Sequence, residues 1–340
     1  MLRRVMNLHP LWLVALPLWV GAGEPVVQGL ATRYPGDVNI AQDPAVLFAE
    51  SFAEDSIAAL VENWTEAKGA RDGTLSFAAD VPPGSPGRQS LQIAAVKGQN
   101  TGGHLWKLFK PGVDELYARF YVKFSQDHPY VHHFVKIGAW RDSPNWPQGE
   151  AGHRHDGAKS FQTGLEPMSA HGRFDPPGAW HFYTYWCEMR SWQGPAGTSC
   201  YGNAFAPAAP QPVPRDRWQC VEFMVKANSA PDRHDGEQAF WIDGQLAGRW
   251  APGTPRGHWV KDRFLARDDG EPFEGFRWRT DDAVKLNTFW LLYYLEGVFQ
   301  GDAQFKPRPG VTQNPAASTV RFAHVVVARQ YLGPLAPAAR

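Results

Sequence analysis

Three stretches of this 340-residue chain carry reactive side chains at the two-residue spacing of a β-strand. In Tyr130–Trp140, alternation sets His132, Phe134 and Lys136 on one face and His133, Val135 and Ile137 on the other. The first set brings an imidazole and an amine side by side, a pairing suited to taking or giving a proton. The second set is mainly apolar, so His133 reads as a hydrogen-bonded histidine of the packed face or its edge. In Trp180–Arg190, His181, Tyr183, Tyr185 and Cys187 share a face opposite Phe182, Thr184 and Trp186. Two phenols beside an imidazole supply a proton donor and flat surfaces on which a sugar ring stacks. In Ser160–Glu166, Ser160, Gln162, Gly164 and Glu166 alternate onto one face while Phe161, Thr163 and Leu165 pack on the other. A glycine among polar neighbours marks either close ligand approach or a bulge. An ordinary half-solvated strand shows the same polarity, and tyrosine is a favoured strand residue. Only convergence of the three stretches gives them chemical meaning.

Other motifs carry less. His153, Arg154, His155 and Asp156 alternate in a glycine-rich stretch without a distant third ligand, so no metal site is expected there. There is no G-x-S-x-G elbow, phosphate-binding glycine loop, Rossmann glycine pattern or C-x-x-C pair.

The elements that must position these residues read as strands throughout. From Trp218 to Trp250, Val221, Phe223 and Val225 alternate with Glu222, Met224 and Lys226, and Gln238–Ile242 turns at Asp243-Gly244 into Gln245–Trp250. Asp-Gly between two such runs favours a tight hairpin because both turn residues take positive φ. Further strands are expected at Ala45–Ala53, Leu75–Ala79, Ser90–Val96, Glu115–Phe124, Ser199–Phe205, Leu286–Leu295 and Thr319–Ala328, with one short helix at Ser56–Trp64. Residues 24–44 read as an extended lead-in, Ala206–Pro214 as a proline-rich loop, and the charged, glycine-rich stretch 251–282 as a long loop excursion. The expected class is all-β: an antiparallel β-sandwich or jelly roll with long loops, spanning 45–335 as one domain.

Composition narrows the function classes. The formal net charge is zero and the basic residues are scattered, so nucleic acid is not an expected partner. The chain has 15 Trp and 10 Tyr; most fill a sandwich core, and the remainder suit sugar stacking. Arg3 and Arg4, the apolar run Leu11–Val20 and Gly21-Ala22-Gly23 form a signal-peptide pattern over residues 1–23. The mature protein is then expected in a secreted or periplasmic location, without membrane insertion after cleavage. A retained membrane anchor is the alternative. The 3 cysteines suit one disulfide and one free thiol. Cys187 and Cys200 flank a turn-rich loop and form the expected pair, with Cys200–Cys220 competing; such a bridge contributes about 3 kcal/mol. Asn63-Trp64-Thr65 fits a glycosylation sequon, meaningful only in a eukaryotic source.

Four segments together resemble the concanavalin A-like lectin/glucanase superfamily, and within it the polyuronate (alginate-type) lyases of polysaccharide lyase family fourteen. They are Val135-Lys136-Ile137-Gly138, the phenylalanine-containing strand at 156–165, the Trp218–Asp243 block with its VKAN and WIDG motifs, and the closing strands at 286–297 and 320–333. The WIDG hairpin recurs across the superfamily and so specifies fold. The resemblance implies a polysaccharide or oligosaccharide partner in an open groove on the concave sheet, and β-elimination of a uronic-acid-containing glycan. Lys136 matches the family's lysine, and Tyr183 and Tyr185 its tyrosines. Gln162 and Gly164 stand where the family has a serine and an arginine, so Glu166, His132 or Arg141 would compensate for the missing guanidinium. The implied catalytic set is Lys136 or His132 as base, with Tyr183 or Tyr185 as acid. Gln162, Glu166, Arg141 and His181 are the implied substrate contacts. Structural calcium is the one cofactor the superfamily suggests, with no ligand set singled out. Two other functions fit the same sandwich. One is a non-catalytic carbohydrate-binding protein. The other is a glycoside hydrolase using Glu166 with Glu188 or Glu222.

Overall fold

A computed structural model describes residues 28–148, 151–190, 192–194, 197–311 and 315–337. The signal-peptide pattern at 1–23 lies outside the described residues. In chain order the strands begin with β1 (Val46–Glu50), β2 (Glu66–Lys68), β3 (Leu75–Ala78), β4 (Ser90–Val96), β5 (Gly102–Val113) and β6 (Glu115–Phe124). Next come β7 (Lys136–Trp140), β8 (Ser160–Met168), β9 (Ala179–Tyr185), β10 (Trp192–Gly194), β11 (Gly197–Ser199), β12 (Asn203–Ala206) and β13 (Gln219–Lys226). The series closes with β14 (Glu237–Ile242), β15 (Gln245–Trp250), β16 (Arg256–Val260), β17 (Arg263–Ala266), β18 (Glu271–Pro272), β19 (Lys285–Tyr294) and β20 (Ala317–Ala328). Two short α-helices, α1 (Ile57–Glu62) and α2 (Glu296–Gln300), interrupt them. Helix α1 starts where Ser56 accepts the Ala59 N–H at 3.2 Å, a side-chain N-cap.

These strands form a β-sandwich. One sheet has the order β15-β14-β13-β6-β20-β4-β3, with β1 also paired to β20, and the other has the order β18-β16-β17-β12-β9-β8-β7-β19-β5-β2. Pairing is antiparallel except between β12 and β17. The Asp243-Gly244 turn has φ of 50° and 80°, as the hairpin requires. The core lies between the sheets: Phe120, Val221, Phe223 and Phe322 meet Ile137, Phe161, Phe182, Phe289 and Leu291. A buried polar bridge crosses it, where Thr163 and Thr184 contact each other at 2.8 Å and Gln238 Oε1 at 3.1 and 3.2 Å. Alternation therefore turns Gln162, Gly164, Glu166, Tyr183 and Lys136 away from the core.

Three expectations are corrected. The 251–282 stretch is not a loop: β16, β17 and β18 extend the second sheet, and Phe264, Phe273, Phe276 and Trp278 join the core. The strand expected over Tyr130–Trp140 becomes regular only at Lys136, because Phe134 and Val135 are both buried in the core. That break turns His133, instead of His132, toward Glu166 on the outer face. Cys187 and Cys200 do not pair; all three cysteines are free thiols. The hairpin between them closes with Trp192 opposite Ser199, so the register carries Cys200 far from a position facing Cys187. The Cys187 thiol instead donates to the Arg277 carbonyl at 3.2 Å, and Cys220 is buried in β13, the competing pair being equally unformed.

Candidate functional site

The three reactive stretches are adjacent strands of one sheet. The register aligns Lys136 with Gly164 and Gly164 with Tyr183, and the neighbouring row aligns Gly138, Gln162 and Tyr185. A third row pairs Glu166 with His181. On the other side of β7, Trp290 lies opposite Lys136 and Trp106 opposite Trp290. The outer face thus carries an amine, two phenols, an amide, a carboxylate and an apolar patch of Trp106, Trp290 and Leu292 that is separate from the main core.

Glycines open this face. A Cβ on Gly164 would meet Lys136 Cγ at 3.1 Å and Glu166 Oε2 at 3.6 Å, which places both side chains around one gap. Gly202, just before β12, sits so close that a Cβ would come within 2.7 Å of both tyrosine rings. Its N–H donates to the Tyr183 oxygen at 3.0 Å, and the two phenol oxygens are 3.3 Å apart.

Lys136 is only 4% exposed, and its ammonium stands 5.4 Å from the Trp290 ring centre. Burial lowers its proton affinity, against the opposing pull of Glu166. Burial also raises Tyr183 well above the usual phenol range, helped by Tyr185, and raises Tyr185 too. Both phenols therefore hold their protons at neutral pH.

Glu166 is not a free substrate contact. Its Oε2 takes hydrogen bonds from His133 Nδ1 at 3.2 Å and the Phe134 N–H at 3.3 Å, while His181 Nδ1 donates to its carbonyl at 2.8 Å. Burial alone would raise this carboxyl, but the charge and hydrogen bond of His133, with His181 and Lys136, hold it at about 2. Burial lowers His181, against the opposing pull of Glu166.

His132 is corrected as a base. Its Nδ1 lone pair accepts the Gly297 N–H at 3.1 Å, so the proton of the neutral ring sits on Nε2 and no lone pair remains free. Burial, followed by the charge of His133, lowers it to about 4. Arg141 is also set aside: it lies beyond the end of β7, half-exposed, paired with Asp281 at 3.2 Å. His133, read from sequence as a packed-face histidine, is the histidine that reaches Glu166 and packs on Tyr183 at 5.4 Å between ring centres. Gly202 carried no direct sign in the sequence, and His155, considered there only as a metal ligand, contacts Ser160 Oγ at 2.7 Å and packs on Tyr185 at 5.6 Å. The alternation of Trp290, Leu292 and Tyr294 against Phe289, Leu291 and Tyr293 was the available signal for the tryptophan.

The carboxylate pairs needed for hydrolysis do not assemble. Glu222 belongs to the opposite sheet and holds the Leu332 and Gly333 N–H groups at 2.7 and 2.8 Å. Glu188 lines a separate cavity of about 720 Å³ and pairs there with His234 at 2.9 Å and Arg277 at 3.2 Å. Among the described residues, no group of three or more His, Cys, Asp or Glu side chains is arranged to hold a metal ion.

No family model and no curated protein matches the sequence. Solved structures match in fold. A lysine-and-tyrosine double mutant of alginate lyase Aly36B, in complex with alginate tetrasaccharide, gives a TM-score of 0.50 at 12% identity over 86% of this chain and 99% of that one. Alginate lyase vAL-1 from Chlorella virus gives 0.50 at 10% identity, over 83% of this chain and 100% of that one. At such identities the likeness concerns architecture alone, and that architecture is a polysaccharide lyase-like β-sandwich.

Proposed function

We propose that this protein is a polysaccharide lyase that cleaves a uronic-acid-containing glycan by β-elimination in a groove over the Lys136–Gly164–Tyr183 row. The observation that carries this reading is the buried amine of lowered proton affinity in register with a phenol that stays protonated. An amine can serve as a base near pH 7 only if its pKa falls well below the reference of about 10.4, and burial acts in that direction. The alginate complex of the Aly36B mutant and the alginate lyase activity of vAL-1 support a uronate glycan as partner.

In this mechanism the neutral Lys136 amine removes the proton from the carbon next to the uronate carboxylate. The electron pair forms a carbon–carbon double bond as the glycosidic carbon–oxygen bond breaks. Tyr185 or Tyr183 protonates the departing oxygen. Negative charge builds on the carboxylate during the reaction and must meet hydrogen-bond donors already in place. Gln162, buried one row from the lysine, has an amide whose N–H groups are donors suited to this.

The test is incubation with mannuronate, guluronate, glucuronate and galacturonate polymers while following the ultraviolet absorbance of unsaturated uronates. A signal that vanishes in Lys136→Ala supports elimination. New reducing ends without that absorbance would replace the lyase with a hydrolase. Glycan binding without either product would replace it with a binding module, which the Trp106–Trp290 patch would equally serve.

A further inference from the structure

We infer that His133, held by Glu166, is the cation that recognises the uronate carboxylate, so that binding of an anionic sugar is linked to the His133 proton. This inference rests on the lyase reading for its substrate class, but its observations are independent of catalysis.

The buried carboxylate sets the problem. Glu166 is 4% exposed and ionised at neutral pH, and its Oε2 lies beside the gap over Gly164. A polyanion entering that gap meets a fixed negative charge. Lys136 cannot both act as a neutral base and cancel that charge. Another cation must do so, and the candidates facing the gap are few.

Hydrogen bonding decides among the three histidines. His132 Nδ1 is occupied by the Gly297 N–H, and its ring stays neutral. His181 is buried, lowered by that burial, and uses Nδ1 on a carbonyl. His133 differs from both. With Glu166 ionised, His133 Nδ1 must be the donor to it, which leaves Nε2 to accept a proton. Its side chain is 21% exposed, more than the Glu166 it contacts. Its ring stacks on His132 at 4.5 Å and packs near Tyr183, which fixes its plane beside the reacting row. A second proton makes it an imidazolium whose inner N–H faces a carboxylate and whose outer N–H, without a partner among the described residues, can meet another. The protonated dyad has no net charge, so the incoming uronate meets a donor instead of a repelling anion.

Other charged and titratable groups around His133 stay fixed. Tyr183 from β9 and Tyr294 from β19 are raised by burial and remain neutral. Asp302 and Lys136 act on the neighbouring His132, and Glu166 stays anionic. Only the lysine could confuse the reading, so it is removed in the test.

The probe is a panel of saturated mannuronate, guluronate, glucuronate and galacturonate hexasaccharides, with their methyl esters as uncharged controls, bound to full-length Lys136→Ala protein by calorimetry. Affinity for the best acid form should fall about tenfold per pH unit once the imidazole has lost its proton. In that sloping range, and only there, binding should take up close to one proton in buffers of different ionisation enthalpy. The ester should bind at least about tenfold more weakly and show no pH slope. His133→Asn keeps a donor for Glu166 but has no outer nitrogen; it should abolish the slope and the proton uptake. Glu166→Gln, which retains size, should abolish the slope as well, and thermal unfolding establishes that both variants are folded. A slope that survives His133→Asn, or acid and ester bound alike, overturns the inference, as does failure of every acid to bind. Absence of unsaturated product from wild type, with this binding pattern intact, would overturn the lyase reading and leave the His133 assignment standing.

Discussion

The two outer faces of the sandwich both bury charge, and they treat it in opposite ways. On the eight-stranded sheet, Arg119 is fully buried against Asp37 and donates to the Gly333 and His324 carbonyls, each at 3.3 Å. Glu222 accepts two N–H groups, the Tyr121 oxygen accepts the Leu335 N–H at 2.8 Å, and His324 reaches Asp37 at 3.0 Å. Apart from Arg119 Nε, the side-chain atoms of that cluster find partners. On the ten-stranded sheet, Gln162 Oε1, His155 Nε2 and Trp290 Nε1 are buried without a partner among the described residues. An unpaired buried polar atom costs about 1–3 kcal/mol. Under the proposed function a ligand would satisfy those around the Lys136 amine. The first face is closed by its own partners.

The largest effect expected from this contrast is on turnover. Lys136→Ala should lower kcat by about 10²–10⁴-fold, the usual range for a proton-transferring side chain, while thermal unfolding stays near wild type. Loss of fold in place of activity would return Lys136 to the structural class.

On the closed face the effect is on stability. Burial raises the Glu222 carboxyl from 4.5 to about 7, against the pull of the two N–H groups and Arg119. Its contribution is therefore fully present below pH 4.5 and lost as pH rises through 7. The difference amounts to about 3 kcal/mol. Denaturant unfolding of wild type and Glu222→Gln from pH 4.5 to 8 should show the variant gaining by about this amount relative to wild type. A constant difference across that range would mean Glu222 is ionised throughout.

A smaller effect separates the faces most sharply. Gln162→Leu should leave stability unchanged or raise it by up to about 1 kcal/mol, because a buried amide oxygen without a partner among the described residues is removed. Turnover on a uronate polymer should fall about tenfold. A large loss of stability would show that the amide is satisfied in solution. Smallest of all, Arg141→Ala breaks only an exposed pair worth less than about 1 kcal/mol. Activity should stay within about twofold, and a greater loss would restore the guanidinium as a substrate contact.

The sequence revealed those parts of the site that depend on alternation within one strand. Gln162, Gly164, Glu166, His181, Tyr183 and Tyr185 lie on the expected face because β8 and β9 run without a break. His132 and His133 exchanged roles because two consecutive core residues, Phe134 and Val135, shift the parity by one. Strand β5 was overlooked: its Gly102-Gly103 start and Lys110-Pro111-Gly112 segment resemble turn signals. It nevertheless supplies Trp106 beside Trp290. The charged stretch at 256–272 concealed strands because edge strands tolerate polar residues on both faces. The Cys187–Cys200 pairing failed because loop content does not determine hairpin register, which here is set by Trp192 and Ser199.

The arms that seal the closed face bring the ends of the described chain together. Leu30 and Ala31 donate to the Tyr331 and Leu332 carbonyls at 3.0 and 2.9 Å, and Gly36 to that of Ala336 at 2.8 Å. Both ends thus leave from the side remote from Lys136. A short linker joining residues 28 and 337 would close the described chain into a ring and permit circular permutation with new ends cut at a surface turn.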